Sequence, residues 1–483
     1  MEGTRQVNSS ASLPRIFVTT GGRGVCSHVG SRLLADVAAA AGLPEALDDA
    51  VSGRRRRRSA HAPGRVLTDV AVLLADGGQS ITDLAALRHQ PELFGRVAST
   101  ATAWRVLDSV DESVLEELTR ARAVARERAW MLRAEAGRTV PTVHCGGVEV
   151  PGLVVDFDGS LVGCHSEKEQ AAATFKHGFG YHPLLVWLDN TNEALAGMLR
   201  PGNAGSNTAA DHIRLTDEAI AQIPDADRYG QPILVRSDGA GATKEWLTHL
   251  RTLRDDGGLD VRFSVGFTCT NQVKDAIGLL PESVWATAVD AAGKPRPVDE
   301  SGLPVAQVAE LTLLLPGLTE AGWPDRMRVL VRRERPHPGA TLTLMEAHNG
   351  WRYQCIATDT ERGQLPFLEA RHRAHARVED RVKAIKQTGM GRFPSREFAI
   401  NAVWLQLALT AADLIAWTQT TLLDGPLAVV ETKLLRYRLL HTAARITRHG
   451  RRTIIKIAAS WPWADQLAAA FARLAAIRQP LLC

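Results

Sequence analysis

Three stretches of this 483-residue chain set acids where they could do chemistry. In V-V-D-F-D-G-S, Asp156 and Asp158 stand two residues apart, so on a strand both carboxylates point to one face. Acids closing an apolar strand are costly to bury unless paired or bound to a cation. The same Asp-Gly-Ser run also reads as hairpin-turn chemistry. Asp238 follows Ile-Leu-Val-Arg-Ser and precedes Gly239. An Asp past the end of a strand is where α/β sheets place ligand sites, and it is equally a turn or helix-entry residue. In the third stretch His372, His375, Glu379 and Lys386 stand at offsets −7, −4, 0 and +7 from Glu379. Those offsets predict one helical face. Arg371, Arg373, Arg377, Arg381 and Lys383 make the helix strongly basic. A carboxylate on such a helix suits a metal ion beside a phosphate backbone. The rival readings are a zinc site of His372, His375 and Glu379 and a solvated helix with salt bridges.

The elements that must hold these residues follow from periodicity. The first 145 residues predict helices over 31–40, 66–75, 81–88 and 112–135, with a further helix carrying Trp104. Ser80 with Asp83 forms a capping-box pattern, and Ser99 or Thr100 caps the Trp104 helix. Short helices joined this way read as a helix-turn-helix-like module or as a plain bundle. Arg54, Arg55, Arg56, Arg57 and Arg58 form an unbroken cationic run before them. After Gly147 strands are expected at 153–157, 161–164 (as hairpin partner of the first), 184–188, 233–236 and 261–265, with helices at 207–223 and 244–253. That alternation is a mixed α/β sheet. Residues 268–365 are β-rich and dense in Pro and Gly, and helices return at 369–385 and 397–417. The segment 433–456 carries eight Lys and Arg and no acid.

Composition narrows the classes. A 45% hydrophobic chain of this length can bury several cores, and two to four domains are expected. The net charge of +4 hides the local basic faces, so charge placement rather than total charge bears on nucleic acid. Six scattered cysteines without a CxxC pair exclude a disulfide scaffold and argue against a cysteine-based zinc site,. The apolar run 400–417 contains Asn401, Gln406, Thr410 and Asp413, which predicts a buried helix rather than a membrane span. The N-terminus has no secretion-signal pattern, so a cytoplasmic location is expected and no membrane partner.

Taken in order, the strand Asp, a second strand Asp, the β-rich segment and the helical Glu resemble the DDE transposases of bacterial insertion sequences. The stretch R-H-R-A-H-A-R-V-E-D-R-V-K, the later N-A-V-W-L-Q-L, G-Y-H-P-L-L at 180–185 and R-P-G-N at 200–203 resemble the group-one branch of that family. Many relatives carry Tyr, two residues, Arg, three residues, Glu, six residues, Lys; here His372 and His375 stand at the Tyr and Arg positions. The resemblance implies an α/β fold: a ribonuclease H-like mixed sheet with a β-rich insertion, a helical N-terminal DNA-binding region and a helical basic C-terminal region. The corresponding boundaries are 1–145, 146–267, 268–365, 366–425 and 426–483. It implies a nucleoid-associated enzyme that cuts and joins DNA, with Asp158, Asp238 and Glu379 holding two Mg²⁺ (or Mn²⁺) per active site. Asp156 is the alternate first ligand. The implied partners are double-stranded DNA, both terminal repeats and target, and a second copy of the chain on paired ends. His372, His375, Lys386, the arginine run 54–58, Arg448, Arg451 and Arg452 are the expected DNA contacts. A nuclease that cuts without joining and a non-catalytic DNA-binding derivative are the alternatives.

Overall fold

The computed structural model describes residues 20, 22–51, 60–164, 167–450 and 452–478; the arginine run 54–58 and Arg451 lie outside the described residues. A two-residue strand, β1 (Val25–Cys26), leads into the main N-terminal helices α1 (Ser31–Ala40), α2 (Leu43–Val51), α3 (Pro63–Asp76), α4 (Thr100–Asp108) and α5 (Glu112–Glu135). The capping box at Ser80 and Asp83 is formed, and the Ser99 hydroxyl accepts from the Thr102 amide at 3.3 Å.

The centre of the chain is a nine-stranded sheet. Its core strands are β2 (Leu153–Gly159), β3 (Leu184–Leu188), β4 (Glu193–Met198), β5 (Ile233–Ser237) and β6 (Val261–Phe267), in spatial order β4-β3-β2-β5-β6. The first three run antiparallel, while β5 and β6 run parallel to β2. This is the ribonuclease H-like order that the resemblance implies. Parallel neighbours need crossover connections; α6 (Ala209–Ala221) joins β4 to β5 and α7 (Lys244–Asp255) joins β5 to β6. Leu215, Trp246, Leu247 and Leu250 bury their side chains with Val155, Phe157, Val235 and Phe263 of the sheet.

Two strand expectations are corrected. The 161–164 run does not pair with β2, whose antiparallel partner is β3. Val162–Gly163 instead joins Phe179–Tyr181 and Ala172–Ala173 in a small separate sheet. The third core strand is β4, E-A-L-A-G-M, whose Ala and Glu content favours a helix locally. Its position between β3 and a long buried helix overrides that preference.

The β-rich insertion lengthens the same sheet. The strands β7 (Ala286–Thr287), β8 (Ala306–Glu310), β9 (Arg328–Glu334) and β10 (Arg352–Thr358) add beyond β6 in the order β6-β10-β9-β8-β7, all antiparallel. The chain then returns across the core as α8 (Leu365–Arg373), α9 (Val378–Ile385) and α10 (Phe398–Leu422).

By length and composition α10 is the one unbroken described helix apolar enough to cross a membrane, but 78% of its apolar window is buried inside the protein. Its polar residues are spent internally. Asp413 accepts from Arg122 at 2.9 Å, from Arg126 at 2.6 Å and from the Ala194 amide at 2.9 Å. Gln406 donates to the Gly197 carbonyl at 2.9 Å, and Trp417 donates to Glu193 at 2.9 Å. Arg126 also meets Glu193 at 2.8 Å. This buried network fastens α5 and α10 to β4, the edge of the catalytic-type sheet.

The helices α1, α2, α3 and α5 share one hydrophobic core with α10. Every residue of α3 from Val66 to Asp76 is buried. That side of the helix-turn-helix reading is corrected: α3 has no face left for a DNA groove, because its apolar stripe runs all the way round. α4 keeps Arg105 and Asp108 exposed.

The basic C-terminal segment is helical only at its start, over Thr432–Leu435 and Arg436–Leu440. The rest forms a hairpin, β11 (Ala444–His449) and β12 (Arg452–Ile457), with β1 added alongside β11. Alternating Ile446, Ile455 and Ile457 against polar neighbours is a period of two, which suits a strand. A true helix, α11 (Ala464–Arg478), follows.

Removing Asp413 would leave buried Arg122 without a carboxylate and Arg126 with Glu193 alone, a change that typically costs about 3–5 kcal/mol. Asp413→Ala is therefore expected to lower unfolding stability by that order in urea titration. A loss below about 1 kcal/mol would contradict the role of this network.

Candidate active site

β2 and β5 are parallel neighbours, with Phe157 level with Ser237. The next residues, Asp158 and Asp238, therefore reach the same edge of the sheet side by side. Asp238 closes β5, and its Oδ1 accepts from the Ala240 amide at 2.9 Å, capping the turn Gly239–Gly241. β6 runs tightly beneath this turn. A Cβ on Gly266 would lie 2.6 Å from the Gly239 nitrogen, so only glycine permits the approach.

Glu379 comes from the first turn of α9 and is exposed, as is Asp238. Burial pushes the Asp158 carboxyl up to about 6; Asp238 and Glu379 add to the rise, while His375 and Lys386 oppose it. Asp238 and Glu379 thus stand near enough to Asp158 to act on it as like charges. Burial lowers the Lys386 ammonium, and Asp158 partly restores it.

Asp156, on the same face of β2, has a different fate. It is fully buried and enclosed by cations. Arg236 grips it at 2.7 and 2.9 Å, Arg381 donates at 2.9 Å, and His375 Nδ1 lies 3.1 Å away. Burial alone would raise its carboxyl, but Arg236 and His375 hold it far below the usual carboxylate range. Arg236 also reaches Asp189 at 2.7 Å, and Arg381 pairs with the same carboxylate and with Asn192 at 2.9 Å. Arg377 meets Asp189 at 3.3 Å. Asp156 and Asp189 therefore bind α9, β5 and β2 into one block.

The four residues at the −7, −4, 0 and +7 spacing do all face the sheet, but not through one regular helix. A 3₁₀ turn, Ala374–Arg377, separates α8 from α9, and a wider turn, Lys386–Met390, follows. His372 Nδ1 lies 3.2 Å from the Ser264 hydroxyl, and burial, with His375 and Arg236 nearby, pushes its imidazole down to about 3. His375 is turned onto Asp156. His375 is 7% exposed, and His372 is half-buried against Ser264. His375 Nε2 has no hydrogen-bond partner, but among the described residues neither His372, His375 and Glu379 nor Asp158, Asp238 and Glu379 bring their ligand atoms all within 4.8 Å of one another. Lys386 stays beside Asp158. Arg448 and Arg452 lie at the exposed end of the β11–β12 hairpin, and Arg448 pairs with Glu92 at 3.2 Å.

Sequence reading missed Arg236, Arg381, Asp189 and His182. An Arg inside the apolar run I-L-V-R-S was itself a signal, since a buried guanidinium demands carboxylates. His182 lies under Gly159, where an added Cβ would stand 2.9 Å from its Nε2. Burial lowers its imidazole, and Asp238 pulls the other way. The G-Y-H-P-L-L and R-P-G-N stretches meet here. His182 donates its amide to the Arg200 carbonyl at 3.0 Å and accepts from Arg200 Nε at 2.9 Å. A Cβ on Gly202 would fall 2.3 Å from the Gly180 carbonyl oxygen. Phe175, 64% exposed, stands over His182 with ring centroids 5.6 Å apart.

The donor chemistry fits a hard divalent cation. Three carboxylates come from three elements, and the Asp158 carboxyl is raised chiefly by burial, with Asp238 and Glu379 adding to the rise. Hard cations such as Mg²⁺ take carboxylate oxygens and keep positions for water and phosphate.

Comparison with known proteins bears on what such an edge does. A family model described as Transposase DDE domain group 1 matches residues 8–479. Among solved structures, the chain is similar to a piggyBac transposase synaptic complex with hairpin DNA, at 10% identity and a TM-score of 0.40, over 86% of this chain and 80% of that one. Curated proteins gave no match.

The two strand acids should respond to mutation in opposite directions. A carboxyl raised in the folded state costs stability at high pH, and the cost disappears as pH falls through about 6 toward the ordinary 3.8,. Asp158→Asn should thus stabilise the metal-free protein at pH 8 by about 3 kcal/mol, with the gain vanishing near pH 4. Asp156→Ala leaves Arg236 and Arg381 to share Asp189 alone and should destabilise by about 3–5 kcal/mol. Urea midpoints across pH measure both, and equal signs would contradict the assignment of paired and unpaired acids.

Proposed function

The chain belongs to the group 1 family of DDE transposases, and on that premise we propose that its DNA cleavage and strand transfer take place at Asp158, Asp238 and Glu379. The observation that carries this reading is the placement of Asp158 and Asp238 at the ends of neighbouring parallel strands, with Glu379 on the helix that Arg381 ties to Asp156. Enzymes of this family use divalent metal ions; here the proposal is two Mg²⁺, or Mn²⁺, held by these acids. Held by these three carboxylates, divalent ions would supply Lewis-acid stabilisation of the charge that develops in an in-line displacement at phosphorus.

The chain's own residues do the positioning. Asp158 and Asp238 are fixed by neighbouring parallel strands, so their separation cannot drift. Glu379 arrives on a helix locked to the sheet by Arg381. Lys386, beside Asp158, would take the phosphate flanking the scissile bond. Asp156, spent on Arg236 and Arg381, serves as the anchor of β2 and not as a ligand.

DNA is the substrate in this reading: the terminal repeats of an insertion sequence and its target. Two ends must be held together for the chemistry, and a twofold dimer is the smallest assembly that supplies two active sites. Arg448 and Arg452, at the hairpin end, are proposed to reach DNA across that dimer.

Oligonucleotides carrying transposon ends test the assignment. With Mg²⁺, the wild-type chain should cleave ends and join pre-cleaved ends to a target. Asp238→Ala and Glu379→Gln should each lower both rates by about 1,000-fold or more, equivalent to about 4 kcal/mol of lost barrier reduction, with gel-shift binding nearly intact. Cleavage without joining of pre-cleaved ends would instead identify a nuclease, and activity surviving Glu379→Gln would remove that residue from the site.

A further inference from the structure

A second set of ligand-type side chains lies away from the carboxylate edge. His28 Nδ1 stands 2.7 Å from Asp76 Oδ2. His441 Nε2 stands 3.2 Å from Asp76 Oδ1 and 2.8 Å from the Asp76 carbonyl oxygen. The two imidazole rings are 4.3 Å apart. Among the described residues this is the one group of three His, Cys, Asp or Glu side chains whose ligand atoms all lie within 4.8 Å of one another.

Several features mark it as more than a surface ion pair. Asp76 ends α3 and is 4% exposed, while His28 and His441 come from opposite ends of the chain. His28 has a φ of 57°, a conformation a non-glycine residue adopts only at a cost. That backbone turn aims its ring at Asp76. Ser31 Oγ donates to Asp76 Oδ1 and fixes the carboxylate, as outer partners do for metal ligands,. Arg436 lies close, but its guanidinium is spent on the carbonyls of Leu74, Ala75 and Gln387 and on the Thr388 hydroxyl. The His28 and His441 side chains are 30% and 39% exposed, which leaves an entry path.

We propose that His28, Asp76 and His441 form a zinc(II) site that clips both ends of the chain to α3. Two imidazole nitrogens and one carboxylate oxygen, with water as the fourth ligand, are a donor set suited to tetrahedral zinc. The site shares no residue with the Asp158, Asp238 and Glu379 edge. It is mechanically linked to it, because Arg436 ties the end of α3 to Gln387 and Thr388, just beyond Lys386. A loaded clip therefore steadies the turn that follows the Glu379 helix.

Cobalt(II) substitution into the metal-free full-length chain tests this. Four-coordinate cobalt absorbs strongly in the visible, whereas six-coordinate cobalt on oxygen ligands absorbs weakly, so the two sites are separable. The expected result is one equivalent of strongly absorbing cobalt, displaced by zinc, with affinity reduced more than about tenfold in His28→Gln and in His441→Gln. An Asp158→Asn, Glu379→Gln double variant should keep the signal. Absence of the strong absorption in the wild type, its survival in both histidine variants, or its loss in the double variant would overturn the proposal. Should a histidine variant fail to fold, diethyl pyrocarbonate labelling of the wild type decides: zinc is expected to protect His28 and His441, and unchanged labelling of both would overturn the site.

Discussion

The burial of one carboxylate sets the terms for the whole active-site edge. Asp156 lies at the centre of the sheet, where an ionised acid is tolerable only if its charge is met by hydrogen-bonded cations. Arg236 meets it from the adjacent strand and Arg381 from the helix that carries Glu379. Asp189, from the end of β3, takes the remaining valence of both arginines. Breaking any member would strand a charge in the interior, so the strand, its neighbour and the helix are held in one register. Two residues further along β2, and one residue beyond β5, the chain comes to the edge, and there Asp158 and Asp238 have no guanidinium partner among the described residues. The same strand thus carries one acid that builds the fold and one acid proposed to take a ligand.

A second buried network does comparable work on the opposite side. Glu193 and Asp413 gather Arg126, Arg122, Trp130 and Trp417, and so join the long helices α5 and α10 to the edge strand β4. Because α10 shares its core with the N-terminal helices, the region read as a DNA-binding module is structurally continuous with the sheet. Any DNA contact made there is transmitted through packed helices, not through a flexible tether.

Much of this was readable in the chain, and what was not has definite causes. Strong local signals came through: α5 spans the residues expected of it, and the Ser80 and Ser99 caps are formed. The strand–helix alternation from β5 to β6 followed from short apolar runs. By contrast, β4 carries a helix-favouring composition and becomes a strand because its neighbours require one. The basic segment near the C-terminus was read by charge alone, although its alternating isoleucines already favoured a hairpin. Asp156 and Asp158 are equivalent by periodicity; only the cations brought by distant segments separate them. His372 and His375 were placed on the right side of their helix, but their inward partners, Ser264 and Asp156, lie 108 and 219 residues away in sequence.

The account stands on the separation of Asp156 from the three edge carboxylates. Crystals of the full-length protein soaked in Mn²⁺ and measured for anomalous scattering test it most directly. The account predicts manganese peaks bounded by Asp158, Asp238 and Glu379, with Asp156 still bound to Arg236 and Arg381. Manganese coordinated by Asp156, or a site that leaves Glu379 outside its ligands, would contradict it.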